Sequence, residues 1–76
     1  MKLFYTQTSD VGRPMVLLHG TTGWGKSFDP LLPWLGNDYR FLIPDLRGHG
    51  RSGHVKGGYR VIDFAADVID LRDYVV

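Results

Sequence analysis

Two glycine-rich loops, each after an apolar run of strand length, hold the residues of this chain that could do chemistry. Residues 19–21 follow the apolar run 15–18, and residues 45–52 follow the apolar run 41–43. A buried strand that delivers a glycine loop to one edge of a sheet is how α/β enzymes build active sites. In the first loop, Gly20 lets the chain turn sharply, so that the next backbone N–H groups can face the sheet edge. Such donors could stabilise the oxyanion of an acyl-transfer reaction.

The segment 20–27 also fits the pattern G-x-x-x-x-G-K-[ST], which is typical of loops that wrap phosphates. In that interpretation Lys26 meets the terminal phosphates of a nucleotide, and the hydroxyl of Ser27 reaches magnesium. The chemistry requires a helix that begins at the lysine, because its N-terminal amides hold the anion. Pro30 and Pro33 oppose such a helix, since a proline in a helix interior costs about 3 kcal/mol. A P-loop-like nucleotide-binding module stays open as an alternative.

The spacing of apolar residues predicts the elements that position these loops. Residues 2–8 alternate in polarity and predict a half-buried strand. The continuous apolar runs 15–18 and 41–43 predict strands that are covered on both faces. Residues 28–35 predict a short helix with Asp29 as its N-cap. With a further helix at the end of the chain, this order predicts an α/β fold with a parallel pair of strands joined by a crossover.

The end of the chain predicts a helix from about Val61. Asp63, Asp67 and Asp70 share one face of it, which we expect to be solvated. Asp70 and Asp73 lie in its final turns, where the helix dipole disfavours anions, and no C-terminal stop signal follows. The helix is therefore interpreted as interrupted. Its apolar residues fall on one stripe at helical spacing, namely Val61, Phe64, Ala65, Val68, Leu71 and Val75.

Composition excludes several classes of protein. The 76 residues suffice for one small domain, and a net charge of +1 provides no basic footprint for nucleic acid. No apolar run approaches the roughly 18 residues that a membrane span needs. The chain has no cysteine, which excludes disulfides and thiolate metal sites. We expect no cofactor, no metal, no nucleic-acid partner and no membrane partner, and a cytoplasmic location by default.

The two loops together resemble those of the α/β-hydrolase family. Residues 19–20 look like its oxyanion loop, residues 24–35 like its first helix region, and residues 45–52 like its D-x-R-G-x-G-x-S loop. The resemblance covers nearly the whole chain. It implies a three-layer, partial α/β-hydrolase sheet of about three strands, two of them parallel, plus two helices. Residues 1–76 would then be the N-terminal fragment of a single α/β-hydrolase domain that ends before the nucleophile elbow.

The resemblance also implies roles for individual residues. The backbone amide of Thr21 would be one oxyanion-hole donor, and His19 would stabilise the loop rather than act as the catalytic base. Four residues, Asp45, Arg47, Gly48 and Gly50, would shape the second loop together with His19 and Gly20 in the first. Trp24 could line a substrate pocket or pack over the first helix, whereas Phe28 and Trp34 are expected in the core.

The chain holds no G-x-S-x-G motif, which would expose a nucleophile on a strand-to-helix turn. Ser9, Ser27 and Ser52 are interpreted as turn and loop residues, and His49 and His54 as solvated loop residues rather than a base or metal ligands. The complete protein would cleave an ester, lactone or similar bond in a small-molecule substrate, through a downstream nucleophile-His-acid triad. We expect residues 1–76 alone to be inactive.

In the family's strand order, the strand at residues 15–18 lies between the strand at 41–43 and one that this chain does not contain. Its outer edge would then be unpaired, and an unpaired apolar edge invites pairing with another chain. The resemblance also implies that the family's usual first strand is missing or very short. Self-association through this edge, as a non-catalytic interaction module, is a third hypothesis.

Overall fold

The computed structural model describes residues 1–20, 23–36 and 38–75. They form a three-stranded mixed sheet in the order β1–β3–β2, in which β1 is antiparallel and β2 parallel to β3. The α/β class and the parallel pair are thereby confirmed. The strands are β1 (Tyr5–Gln7), β2 (Arg13–Val16) and β3 (Tyr39–Pro44), and the helices are a 3₁₀ helix (Gly25–Trp34) and the α-helix α1 (Val61–Val75).

The central strand β3 supplies most of the core. Leu42 is opposite Gln7 of β1 and Val16 of β2, so its backbone is paired on both sides. Phe41, Leu42 and Ile43 are 4%, 0% and 2% exposed. A continuous apolar run fits this position, because both of its faces are covered. The prediction of a buried strand at residues 41–43 is confirmed.

The edge strand β2 is less covered than expected. We predicted that residues 15–18 are covered on both faces, but β2 spans Arg13–Val16, and Met15 and Leu18 are 39% and 51% exposed. Within the described residues β2 pairs only with β3. Its apolar side chains therefore have no neighbouring strand on the outer side, which explains their exposure.

The first helix begins earlier than predicted and is a 3₁₀ helix. We predicted an N-cap at Asp29, but the helix begins at Gly25 and Asp29 lies inside it. Ser27 closes the first turn: its N–H donates to the Trp24 carbonyl at 2.9 Å, and its Oγ accepts from the Trp24 N–H at 3.2 Å. The 3₁₀ form accommodates Pro30 and Pro33, which an α-helix interior would not.

The expectation that Trp34 lies in the core is wrong, because its side chain is 85% exposed. Phe28 is half-buried. Trp34 is the last residue of the 3₁₀ helix, and Gly36, with a φ of +76°, turns the chain away directly after it. Residue type alone predicts burial of tryptophan, but burial also requires a second surface to pack against.

In helix α1 the predicted division into faces is wrong at one residue. Asp67 is 1% exposed, whereas Val61 of the apolar stripe is 85% exposed. The Arg47 guanidinium donates to Asp67 through Nε at 2.6 Å and through Nη2 at 2.8 Å, and the α-ammonium of Met1 donates at 2.8 Å. These hydrogen bonds hold the pKa of Asp67 below its usual range despite its burial. Leu71, one turn further along α1, is also buried.

None of the helices within residues 1–20, 23–36 and 38–75 has the length and apolar character needed to cross a membrane.

The buried Asp67–Arg47 pair leads to a stability prediction. Replacing Asp67 by Asn leaves the Arg47 charge without its partner in a largely buried position, so we expect the free energy of unfolding to fall by about 3 kcal/mol. Urea denaturation followed by circular dichroism measures it. The matched control is Asp73→Asn, whose carboxylate lies on the exposed face of the same helix beside Arg72, and its urea midpoint should stay at the wild-type value. Equal midpoints for the two variants would contradict the prediction.

Candidate functional site

The two predicted loops meet at the carboxyl ends of the parallel strands β2 and β3. The backbone ladder continues past β2, where the N–H of Leu17 donates to the Leu42 carbonyl at 2.9 Å. On the other side of β3, the N–H of Asp45 donates to the Phe4 carbonyl at 2.8 Å. Both loops therefore leave the sheet at the same edge, where α/β folds place their ligands.

His19 links the first loop to the second. Its Nε2 accepts the N–H of Leu46 at 3.0 Å, and its Nδ1 lies 2.6 Å from the Gly20 carbonyl oxygen. A backbone N–H can only donate, so Nε2 carries no proton and Nδ1 is the donor to Gly20. The ring is a neutral tautomer, it is buried, and both of its nitrogens are engaged. This geometry holds the loop and leaves no ring nitrogen available to act as a base.

Asp45 is the most highly connected carboxylate of this edge and is fully buried. It accepts the N–H of Gly25 at 2.6 Å and the N–H of Arg51 at 2.8 Å. The Arg51 side chain adds Nε at 2.9 Å and Nη2 at 3.3 Å. Burial by itself raises the pKa of the Asp45 carboxyl, but the hydrogen bonds and charge of Arg51, with the Gly25 amide, lower the pKa below its ordinary value.

Arg47 and Gly48 direct the second loop toward helix α1. Besides its two bonds to Asp67, Arg47 donates from Nη1 to the Gly58 carbonyl at 2.6 Å. Gly48 has a φ of +73°, and a Cβ on it would lie 2.6 Å from the Tyr59 ring. The loop thus has two anchors: Asp45 at the sheet edge and Arg47 on the helix.

The three serines are engaged with backbone groups. Ser52 is buried; its Oγ accepts the Phe4 N–H at 2.9 Å and donates to the Asp45 carbonyl. The Oγ of Ser9 accepts the Val11 N–H at 3.1 Å, and that of Ser27 accepts from Trp24 as described above. These contacts confirm the interpretation of the serines as turn and loop residues.

The loop histidines differ from each other. His54 is exposed, as expected, but the expectation that His49 is solvated is wrong. The His49 ring packs 5.0 Å from that of His19 and 6.4 Å from that of Phe64, and its Nδ1 donates to the Arg47 carbonyl at 2.9 Å. Within the described part of the chain, no three histidine or acidic side chains are grouped closely enough to hold a metal ion.

The groups of the phosphate-loop pattern are engaged inside the chain. The Gly25 N–H, at the start of the 3₁₀ helix, donates to the Asp45 carboxylate. The Lys26 ammonium lies 5.8 Å from the centre of the Trp24 ring. An amide that would have to hold a phosphate thus already holds a carboxylate. Nucleotide binding at residues 20–27 stays an untested prediction.

Two of the predicted site residues need separate mention. Thr21 lies outside the described residues, so the oxyanion role of its amide stays a prediction. Trp24 is 38% exposed, with the guanidinium of Arg51 5.1 Å from its ring centre. Phe4 lies on the same guanidinium at 4.0 Å. Trp24 thus belongs to a stack at the sheet edge, and its part in a substrate pocket is untested.

Sequence reasoning missed Arg51 and Asp67. Arg51 occupies an unspecified position of the motif, and a surface arginine is the ordinary expectation there. The available signal was Asp45 itself, since a carboxylate at the end of a buried strand requires a cation or several N–H donors. For Asp67 the signal was spacing, because it lies three residues after Phe64 and four before Leu71 on the inward stripe.

The sequence and fold are similar to those of known hydrolases. The α/β-hydrolase fold family matches residues 13–75. A serine hydrolase-like protein of Danio rerio is 42% identical over 59 residues, covering 75% of this chain and 18% of that protein. The 3-hydroxybutyrate-oligomer hydrolase of Cupriavidus necator is 35% identical over 74 residues, covering 92% of this chain and 25% of that protein.

Solved structures agree with these matches. A marine microorganism esterase superposes with a TM-score of 0.88 at 26% identity, covering 96% of this chain and 28% of that one. A bromoperoxidase from Bacillus anthracis superposes with a TM-score of 0.88 at 31% identity, covering 96% and 26%. The chain therefore spans about a quarter of these structures, and a fifth to a quarter of the two sequence relatives.

The lowered pKa of Asp45 leads to a pH prediction. The unfolded carboxyl has a pKa of about 3.9, above the folded one. Below that value the unfolded chain binds more protons, so stability is full above about pH 5 and falls as the pH drops through the folded pKa. Urea unfolding between pH 6 and pH 2.5 should show this loss, with a shallower slope in Asp45→Asn. The control Asp29→Asn, at an exposed position, should keep the wild-type slope; an unchanged slope in Asp45→Asn would contradict the assignment.

Proposed function

Because the chain belongs to the α/β-hydrolase fold family, we propose that residues 1–76 are the N-terminal part of a single hydrolase domain. The complete protein cleaves an ester, lactone or similar bond in a small molecule, by a nucleophile-His-acid triad that lies downstream. The relatives described above, a 3-hydroxybutyrate-oligomer hydrolase and an esterase among them, support this class of reaction. This chain contributes one half of the oxyanion hole, through the amide of Thr21.

The Gly20 carbonyl is the observation that carries the proposal. It accepts both the His19 Nδ1–H at 2.6 Å and the Gly23 N–H at 3.0 Å. A planar trans peptide points its carbonyl and its N–H in opposite directions. Two donors that hold the Gly20 carbonyl would therefore also hold the N–H of the same peptide, which is that of Thr21. A preorganised N–H is what stabilises a developing oxyanion.

The chain by itself is proposed to be inactive. Its serine hydroxyls are bonded to backbone groups, and both ring nitrogens of His19 are engaged. An activated nucleophile requires a base within hydrogen-bond reach, and the described serine contacts include no histidine. The second oxyanion donor of this family follows the nucleophile, so it too belongs to the remainder of the domain.

A chimera tests the proposal. Residues 1–76 replace the matching segment of the Cupriavidus necator hydrolase, which retains its own downstream residues, and p-nitrophenyl butyrate hydrolysis is measured. We expect the chimera to be active and Thr21→Pro, which deletes the N–H, to lower kcat by about 10²- to 10³-fold. Thr21→Ala keeps the N–H and should lose far less activity.

The control for the proline itself is Lys56→Pro in the exposed part of the second loop, which should leave kcat at the chimera's value. Turnover by residues 1–76 alone, or equal kcat in Thr21→Pro and Lys56→Pro, would refute the oxyanion assignment.

A second proposal, self-association, rests on the outer edge of β2. The inward bonds of this strand use Arg13 and Leu17, so by alternation Val16 and Leu18 offer their N–H groups on the outer side. Pro14, between them and the strand start, has no N–H to offer. Met15 and Leu18 are partly exposed beside this edge, which favours pairing with a second copy.

Sedimentation velocity of the purified chain over a hundredfold concentration range tests the edge. We expect a concentration-dependent dimer that Val16→Pro abolishes, because it removes an outward N–H without breaking the β3 ladder. Lys56→Pro should dimerise like the wild type. A single monomeric species throughout would overturn self-association and leave the hydrolase proposal untouched.

A further inference from the structure

The Asp45 carboxylate lies between two loops that are distant in sequence. Its Oδ1 accepts from Gly25 at the start of the 3₁₀ helix, and its Oδ2 accepts from the backbone and side chain of Arg51 in the second loop. The residue is 0% exposed. A buried carboxylate with this many donors is a fixed point, because moving any one donor leaves a charge partly unsolvated.

Two glycines give the carboxylate its space. A Cβ on Gly25 would lie 2.7 Å from Oδ1, and a Cβ on Gly50 would lie 2.6 Å from Oδ2. Both distances are shorter than side chains tolerate, so the backbone can approach the carboxylate at these positions only as glycine. Gly50 also has a φ of +49°, which disfavours other residues independently. The chain at both positions is thus shaped to Asp45.

Asp45 and its neighbour Leu46 together hold both described ends of the oxyanion loop, residues 20–25. Asp45 holds Gly25, and the Leu46 N–H binds His19, which in turn holds the Gly20 carbonyl. Both anchors leave from the end of the central strand. We infer that Asp45 is a positioning residue for the oxyanion loop: it sets the geometry of the loop without touching substrate. This inference rests on the proposed function and adds a residue to it.

Arg51 completes the device by neutralising the carboxylate. Its guanidinium binds Asp45 through Nε and Nη2 and is stacked between the rings of Phe4 and Trp24. An oxyanion develops negative charge, and an uncompensated carboxylate nearby would repel it. The Asp45–Arg51 pair therefore positions the loop without adding net charge to the site.

Amide hydrogen exchange of the ¹⁵N-labelled chain tests the inference without any substrate. In Asp45→Asn we expect exchange at Gly23 and Gly25 to accelerate by about tenfold or more, because a charged acceptor is lost. The amide resonance of Thr21 should shift, and those of β1 and β3 should keep their wild-type protection. The matched control, Asp63→Asn, removes a carboxylate that pairs with Arg60 on the surface and should leave the loop unchanged.

A pH titration of the wild-type chain decides the case if Asp45→Asn unfolds. The Gly25 and Thr21 amide resonances should then titrate together with the Asp45 carboxyl, and Arg51→Met should move that transition to higher pH. Loop exchange unchanged in a folded Asp45→Asn, independent titration of the two amides, or a wild-type chain without protected loop amides would each overturn the inference.

The chimera separates this inference from the proposed function. Asp45→Asn should lower kcat with little change in KM, whereas an active chimera whose kcat ignores Asp45→Asn refutes positioning alone. An inactive chimera together with the predicted exchange pattern refutes the hydrolase proposal alone.

Discussion

A carboxylate without water is the constraint on which this chain's carboxyl edge depends. Asp45 directly follows the buried run of β3 and has no exposed surface. An ionised group in such a place survives only when it is paired and hydrogen-bonded. The chain meets this requirement by bringing Gly25 and Arg51 to it from two different loops. Each loop is thereby fixed relative to the sheet.

The same requirement explains a coincidence of motifs. The glycine, lysine and serine at positions 25–27 complete a phosphate-loop pattern, but Gly25 is needed because a Cβ there would collide with Asp45. Ser27 closes the first turn of the 3₁₀ helix through Trp24. Glycine and serine are therefore explained at these positions by contacts within the chain. Patterns of four letters recur by chance because backbone shape uses the same residue types as ligand binding.

The predictable part of the fold is the part that depends on local pattern. A continuous apolar run predicted β3, and apolar spacing predicted the start of α1 at Val61, because in each case the signal lies within the element. The burial of Asp67 was not predictable in the same way, since it depends on Arg47 twenty residues earlier. The exposure of Trp34 and Met15 likewise depends on which surfaces are present to cover them. In the candidate site, His19, Gly20 and Asp45 were found from the motif, whereas Arg51 was missed because its partner lies in three dimensions.

The order of strands in the sheet has a consequence for the nascent chain. β1 and β2 come first along the sequence, yet they pair with β3 and not with each other. No strand ladder can close until residues 39–44 have left the ribosome. Until then the first 38 residues hold two unpaired strands and a short helix, which is when chaperones would find apolar segments exposed. Synthesis of the central strand is thus the moment at which this chain can first acquire a sheet.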